Sequence, residues 1–392
     1  MSAKHFEVVV IGGGAIGAGL AHSLADRGVD TALFEADHLG AGSTVRSAGG
    51  IRQQFSDDRK TRLAMESRRL FDEYAAAAGD AFDVCETGYM FLAQTDAEAD
   101  GFREDATHQR ALGLDVDLLE PMACADRVPG LKTDDLVLGK YCPTDCVTDP
   151  GAVTRWLGER AASMGVRVSE DEPVIDVHTD GAGGDVTAVE TPEATYGCDA
   201  VVDAAGVWAA HVAATVGVEI PITPARVQLA FTAEEPVPAD APFVVDIHER
   251  RYFRPADNGR TMFGGANVHD EAPVDPTNYD TEYDEAFVEQ TVSFARKRLT
   301  VGDVSIEDGW AGLKGLTPDG DPLVGEVDAV PGFYLAAGCN GHGFMLAPAL
   351  GRALARRLDT GEWGDIDLDP YDPDRFDGDD DGTEDAGFMG VS

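Results

Sequence analysis

Residues 7–35 read Glu-Val-Val-Val-Ile-Gly-Gly-Gly-Ala-Ile-Gly-Ala-Gly-Leu-Ala-His-Ser-Leu-Ala-Asp-Arg-Gly-Val-Asp-Thr-Ala-Leu-Phe-Glu. This is an apolar strand, a glycine turn, a helix over Ala15 to Arg27 and a second strand, Asp30 to Glu35, ending in an acid. The glycines of a GxGxxG pattern fall at Gly12, Gly14 and Gly17. Gly12 permits the sharp turn, Gly14 lets a pyrophosphate approach bare backbone, and Gly17 lets the helix lie close on the sheet. Ala15 and Ile16 open that helix, whose N-terminal N–H groups and dipole favour phosphate. Glu35, followed by Ala36, stands where a ribose hydroxyl pair needs a carboxylate. The unit predicts a dinucleotide site for FAD or NAD; an acid at this position would repel the extra phosphate of NADP.

Working outward, the 392-residue chain can hold two domains, and 43% hydrophobic content supplies a core. No apolar run is long enough to span a membrane. The first strand begins within a few residues of Met1, which predicts no signal peptide and a cytoplasmic protein. The six cysteines are scattered, as in a reducing compartment. Cys142 and Cys146 have no second pair or nearby histidine, so no metal site is expected. The 72 acids against 30 bases give a net charge of −42. That balance excludes nucleic acid as a partner. Acids spread over the whole length suit a halophilic cytoplasm, where salt screens their repulsion.

Asp57 to Ala78 has helical spacing, 84–94 is strand material, and Asp96 to Leu112 is a charged helix. Pro150 opens a helix to Met164. Short strands follow at 166–168 and 174–177, with a buried one at 200–205. Residues 216–304 hold short strands at 226–232, 243–247, 252–254 and 261–264. A last strand at 332–337 precedes a glycine-rich loop and a final helix, 347–358. The pattern predicts an α/β (α+β overall) chain with a Rossmann-like parallel-sheet nucleotide domain, interleaved with a mainly antiparallel β substrate domain. The nucleotide domain takes 1–83, 145–215 and 305–365; the substrate domain takes 84–144 and 216–304. Residues 370–392 read as an acidic tail too poor in apolar groups to order itself.

Three further segments sharpen the cofactor assignment. Gly40 to Phe55 joins small residues to Arg46 and Arg52; 200–208 is an apolar strand ending at Gly206; 338–348 is a glycine-rich loop before a helix. With these, the chain resembles the FAD-dependent amine and amino-acid oxidoreductases of the D-amino-acid oxidase superfamily. Within them it is most similar to sarcosine oxidases and dehydrogenases, glycine oxidase and the FAD subunit of archaeal L-proline dehydrogenases. The resemblance runs from residue 5 to about 358. Its most specific pieces are Arg46-Ser-Ala-Gly-Gly-Ile-Arg52-Gln-Gln-Phe55, Thr317-Pro-Asp-Gly-Asp-Pro-Leu-Val-Gly325 and Gly341-His-Gly-Phe344.

The resemblance implies that Gly12, Gly14, Gly17 and Glu35 hold the ADP half of FAD, and that Ser43, Thr44, Arg46 and Ser47 line the pyrophosphate and flavin edge. It implies Val174 at the adenine and Ala205 with Gly206 beside the dinucleotide. Gly338, Gly341, His342, Gly343 and Phe344 would wrap the flavin pyrimidine. Arg52 aligns with an arginine that pairs a substrate carboxylate, a task suited to a planar guanidinium. Met345 replaces the lysine of sarcosine oxidases, so one carboxylate anchor of that group is missing. The stretch Trp310 to Leu316 lacks the cysteine that tethers their flavin, which implies non-covalent FAD.

Arg254 is a second carboxylate clamp or a surface ion pair, and Tyr252 caps the substrate or packs. His342 is a proton carrier or matters for its backbone. His211, His248 and His269 read as surface or core histidines. The expected activity is oxidation of the C–N bond of a small amino acid or amine, with hydride leaving for flavin N5. The electrons pass to oxygen, a quinone or an electron-transfer protein. A Rossmann-type NAD dehydrogenase would share only the N-terminal motif. A non-catalytic or partner-dependent flavin-bearing subunit is the alternative, and the oligomeric state stays open.

Overall fold

A computed structural model describes residues 4–233, 236–256, 259–265, 272–302 and 304–376. Two eight-stranded sheets dominate it. In the first, strand His5–Ile11 lies between Thr31–Phe34 and Thr195–Asp203, parallel to both. Phe333–Ala337 and Arg167–Ser169 extend the parallel set on either side. Val8, Val9 and Val10 are all at most 5% exposed. A run without alternation is what a strand covered on both faces requires. Helices Ala15–Arg27, Asp58–Ala78, Pro150–Ser163 and Gly343–Thr360 share one of the two cores that flank this sheet.

The first and last of those helices cross closely. A Cβ on Gly351 would lie 2.7 Å from Leu20 N, and one on Gly19 would lie 3.4 Å from Ala347 O. Two glycines therefore let the backbones touch, which brings both helix N-termini to the same end of the sheet.

The second sheet runs in the order Ile306–Leu316, Thr223–Thr232, Arg260–Gly265, Arg251–Ala256, Phe243–Asp246, Tyr89–Ala93, Leu138–Cys142, Asp117–Leu119. Only the pairing of Phe243–Asp246 with Tyr89–Ala93 is parallel. The two-residue side-chain period sorts its faces. Phe253 and Phe263 point under helix Glu285–Arg298 and meet Phe294. Tyr252, next to Phe253 on its strand and paired with Gly264, faces the other way and lies over that glycine, whose Cβ would sit 2.3 Å from the ring.

That helix is pinned by a wholly buried ion pair: Arg298 Nη2 is 2.6 Å from Asp246 Oδ2, and Nη1 reaches Asp135 Oδ1 at 2.8 Å. Removing one partner strands the other charge in the interior. Arg298→Ala should lower the unfolding free energy by roughly 3–5 kcal/mol, read as a shifted urea midpoint.

Asp203, at the carboxyl end of the central strand, is also fully buried. Its Oδ1 accepts from Ala205 N at 3.0 Å, and Oδ2 has no hydrogen-bond partner among the described residues. Burial pushes its pKa from 3.8 up to about 8. The unfolded chain thus releases this proton near pH 4 while the folded one keeps it. Stability falls as pH rises from about 4 to 8, and the loss is complete above 8. Asp203→Asn keeps the bond to Ala205 and has no proton to lose. It should stabilise the protein by on the order of 3–5 kcal/mol at pH 8 and by little at pH 4, checked by denaturation at both.

Four expectations need correcting. Strand Ile306–Leu316 pairs along its length with Thr223–Thr232, so the substrate sheet extends past the boundary at 305. The last helix starts at Gly343, before Ala347, and contains Pro348. Burial of Phe344, Met345 and Leu346 offsets the bond that Pro348 cannot donate. Strand Thr195–Asp203 ends before Ala204 and begins earlier than expected. The start of the acidic tail is ordered: Tyr371 is buried, and Arg375 pairs with Asp319 at 2.8 and 3.0 Å. Residues 377–392 lie outside the described residues. A helix the sequence reading missed is Glu285–Arg298, whose long polar face hid its period.

Candidate functional site

A cavity of about 750 Å³ runs from the carboxyl ends of the parallel strands to the face of the second sheet. This is where ligands bind in open α/β sheets. Gly12 takes φ +101°, and a Cβ there would lie 2.7 Å from Ala204 O. At Gly14 a Cβ would meet only Thr44 Oγ1, at 3.4 Å, so bare backbone faces the cavity. Gly17 does not line it; its place is packing, since a Cβ would fall 1.9 Å from Gly12 O.

Ala15, Ile16, Ala36, Ser43, Thr44, Arg46, Ser47, Val174, Ala205 and Gly206 all reach the cavity. Thr44 Oγ1 accepts from Ala15 N at 3.1 Å and so ties the loop to the first helix. Arg46 donates through Nη1 to Ala41 O at 2.7 Å and Gly42 O at 3.0 Å. Glu35 is the one acid among the described lining residues. Its oxygens accept from Gly13 N at 2.6 Å and Asp37 N at 3.0 Å, which fixes the carboxylate at one end.

At the other end lie Gly338, Gly341, His342, Gly343, Phe344 and Met345. Here the backbone turns through φ +71° at Gly338, +50° at Asn340 and +86° at Gly341. Asn340 tolerates that conformation and was missed by sequence reading. Its Nδ2 donates to Thr317 Oγ1 at 2.7 Å, and its N donates to Gly315 O at 3.0 Å. The loop is thereby joined to the last strand of the substrate sheet. The helix that starts at Gly343 aims its positive end into the cavity.

The four residues expected to do chemistry separate. Tyr252 lines the cavity, buried enough that its hydroxyl pKa rises. His342 lines it too. Arg52 does not: it is 0% exposed, donates to Gln54 O at 2.7 Å and stands behind His342. The cause is the turn after strand Gly50–Ile51, where Gln53 and Gln54 bond to buried Asp145 and carry Arg52 inward. Arg254 is also absent from the lining; Nε donates to Ala48 O at 2.8 Å and Nη1 to Pro255 O at 2.7 Å. It holds the Ser47–Ala48 loop against the sheet.

The cations that do line the cavity are Arg46, Lys60, Arg250 and Lys314. Lys60 is ion-paired with Asp321 and donates to Gly320 O at 3.2 Å. Arg250 and Lys314 come from the substrate sheet and its hairpin turn. The Lys314 stem passes 3.9 Å from where a Gly341 Cβ would be. Tyr89 and Phe243, stacked at 4.2 Å, complete the wall beside Tyr252. His211 reaches the cavity as well, whereas His248 pairs with Glu98 at 2.9 Å on the surface. His269 lies outside the described residues. Of the missed groups only Asn340 sits in a motif, the glycine-rich loop. Lys60, Arg250 and Lys314 sit in none, and strand Ile306–Leu316, with Ala311, Gly312 and Leu313 buried in succession, has no alternation to mark the face of Lys314.

The bare glycine turn, the fixed carboxylate and the second helix terminus fit a dinucleotide that carries a polar ring system. No helix among the described residues is long and apolar enough to cross a membrane.

Comparison with known proteins agrees with this geometry. The sequence matches the family described as DAO, FAD dependent oxidoreductase, over residues 7–357. Glycine oxidase of Geobacillus kaustophilus is 28% identical over 376 residues, covering 93% of this chain and 96% of that protein. Human mitochondrial sarcosine dehydrogenase is 29% identical over 381 residues, covering 94% of this chain and 41% of that longer protein. The crystal structure of L-proline dehydrogenase from P. horikoshii superimposes with a TM-score of 0.89 at 29% identity, covering 96% of this chain and 98% of that one. That of Geobacillus kaustophilus glycine oxidase gives 0.83 at 26%, covering 95% and 99%.

Proposed function

We propose, from the premise that this chain belongs to the DAO family of FAD-dependent oxidoreductases, that it oxidises the C–N bond of a small amino acid or of a secondary or tertiary amine. Bound FAD supplies the two-electron oxidation, which the side chains present cannot. Gly12, Gly14 and the first helix would hold its pyrophosphate, Glu35 a ribose, and the 338–344 loop the ring.

What remains for the chain is orientation. The observation that carries the reading is the placement of Lys314 and Arg250 on the substrate side of the cavity that the glycine turn and the second helix terminus share. A substrate carboxylate would pair with Lys314, which lies beside the 338–341 loop, and Arg250 supplies the second positive charge. Tyr252, Tyr89 and Phe243 would close over the aliphatic part and exclude water. Glu35, the one acid among the described lining residues, sits at the far end, away from the substrate's amine and acid. The resulting imine hydrolyses in water.

The net charge of −42 favours work at molar salt, in a cytoplasm. With no cysteine in 310–316, FAD would be held without a covalent bond, and acid precipitation should leave it in the supernatant. The acceptor is oxygen, a quinone or an electron-transfer protein.

The test is anaerobic bleaching of the oxidised flavin band in about 2–3 M KCl. Sarcosine, dimethylglycine, glycine, L-proline and D-amino acids are the substrates. Bleaching by one of them names the substrate class, and admitting air then tests oxygen as acceptor. A band that persists with every amine yet yields to dithionite would reject the reading.

A further inference from the structure

After strand Gly50–Ile51 the chain turns into the interior. Asp145 accepts three hydrogen bonds there, from Gln53 N at 2.9 Å, Gln53 Nε2 at 3.1 Å and Gln54 Nε2 at 2.9 Å. This carboxylate fixes the course of the turn. Arg52 is held in consequence: Nη1 donates to Gln54 O at 2.7 Å, and the guanidinium carbon lies 4.0 Å from the centre of the Phe55 ring. The other terminal nitrogen, Nη2, is 3.2 Å from Nε2 of His342. Phe55 meets the same imidazole edge-on, with centroids 5.2 Å apart. Guanidinium and phenyl ring together set both the position and the tilt of the histidine.

A guanidinium carries donors only. Burial draws the Arg52 pKa down to about 10, which still leaves it a cation at neutral pH. A ring nitrogen contacted by such a donor must present a lone pair. We propose that Arg52 is a positioning residue, which holds His342 as a neutral imidazole with Nε2 accepting and the ring proton on Nδ1.

The surrounding charges bear on this state from several elements. Arg46 from its loop, Lys60 from helix Asp58–Ala78 and Lys314 from the substrate sheet line the cavity with His342. All are cations and oppose a second proton on the ring. Tyr89 and the Cys339 thiol line it too, both with pKa values raised by burial and so neutral. Behind Arg52, Asp145 is taken up by the glutamines and Asp105 by the buried Lys140.

The consequence for the reaction rests on the amine-oxidation reading. With Nε2 committed to Arg52, His342 does not take the substrate's ammonium proton through that atom. The amine's proton must then leave by another route, and the ring serves as a fixed dipole beside the 338–344 loop.

The test reads the ring itself. Holoprotein labelled with ¹⁵N-histidine is followed by long-range proton–nitrogen correlation from about pH 6 to 9, the range around the ordinary imidazole pKa. His342 is identified by the signals missing in His342→Asn. In the wild type one nitrogen should be unprotonated and hydrogen-bonded, the other protonated, unchanged across the range. Arg52→Lys should preserve that pattern, and Arg52→Met should release a ring that titrates. Titration in the wild type, a proton on Nε2, or an unchanged ring in Arg52→Met would each overturn the proposal. Should Arg52→Met not fold, the wild-type and Arg52→Lys spectra decide. These signals are independent of amine turnover, so a failure of the bleaching experiment leaves them readable.

Discussion

Gly17→Ala is expected to yield a protein that loses FAD on gel filtration. The added Cβ would stand 1.9 Å from Gly12 O, 3.1 Å from Gly12 C and 3.4 Å from Val10 Cγ1. The first two are backbone atoms, so no rotamer change relieves the overlap. Gly12 is held in place, because its N donates to Phe34 O at 2.8 Å and the preceding Ile11 O accepts from Ala204 N at 2.9 Å. The helix Ala15–Arg27 must therefore lift from the sheet, and with it the N–H groups aimed at the pyrophosphate. Overpacking costs about 1–3 kcal/mol, and an overlap with backbone atoms lies at the top of that range. FAD affinity should fall roughly 100-fold, since each 1.4 kcal/mol is a factor of ten. Gly302→Ala is the control: nothing lies within 4 Å of its Cβ position, and FAD retention should be unchanged. Wild-type retention of FAD by Gly17→Ala would mean that the close helix–strand contact is dispensable.

Lys314→Met is expected to keep FAD and lose substrate. A hydrogen bond to a charged group contributes about 1.5–3 kcal/mol, so kcat/KM for an amino acid should fall roughly 10- to 150-fold. Most of that should appear in KM, because the carboxylate is bound equally before and during hydride departure. An amine without a carboxylate should lose far less. Arg250→Met tests the second cation, and a larger effect there than at Lys314 would exchange their roles. If neither substitution moves kcat/KM, the carboxylate is held elsewhere.

The dinucleotide half of the site was legible because its determinants are local. The spacing of Gly12, Gly14 and Gly17, the apolar run before them and Glu35 after them lie in 29 consecutive residues. Helix Ala15–Arg27 has the bounds that the pattern gave. The glycine loop before the last helix was legible for the same reason, although Pro348 moved the apparent helix start. The substrate half was not. Arg52 follows a glycine-rich stretch and looks like an anion clamp, yet Asp145, 93 positions later in the chain, draws its turn inward. Arg254 is spent on Ala48 O. Lys314 sits in no motif, and which face of strand Ile306–Leu316 it takes depends on register with Thr223–Thr232.

By itself, then, the sequence determined the parallel nucleotide unit, its dinucleotide turn and the charge of the surface, because φ preference, apolar period and ionisation act within a few residues of one another. Only the tertiary structure decided which cations face the cavity, which arginine stands behind His342 and where the substrate sheet ends. Those depend on pairing between strands far apart in the chain, where a shift of one residue turns every side chain to the opposite face.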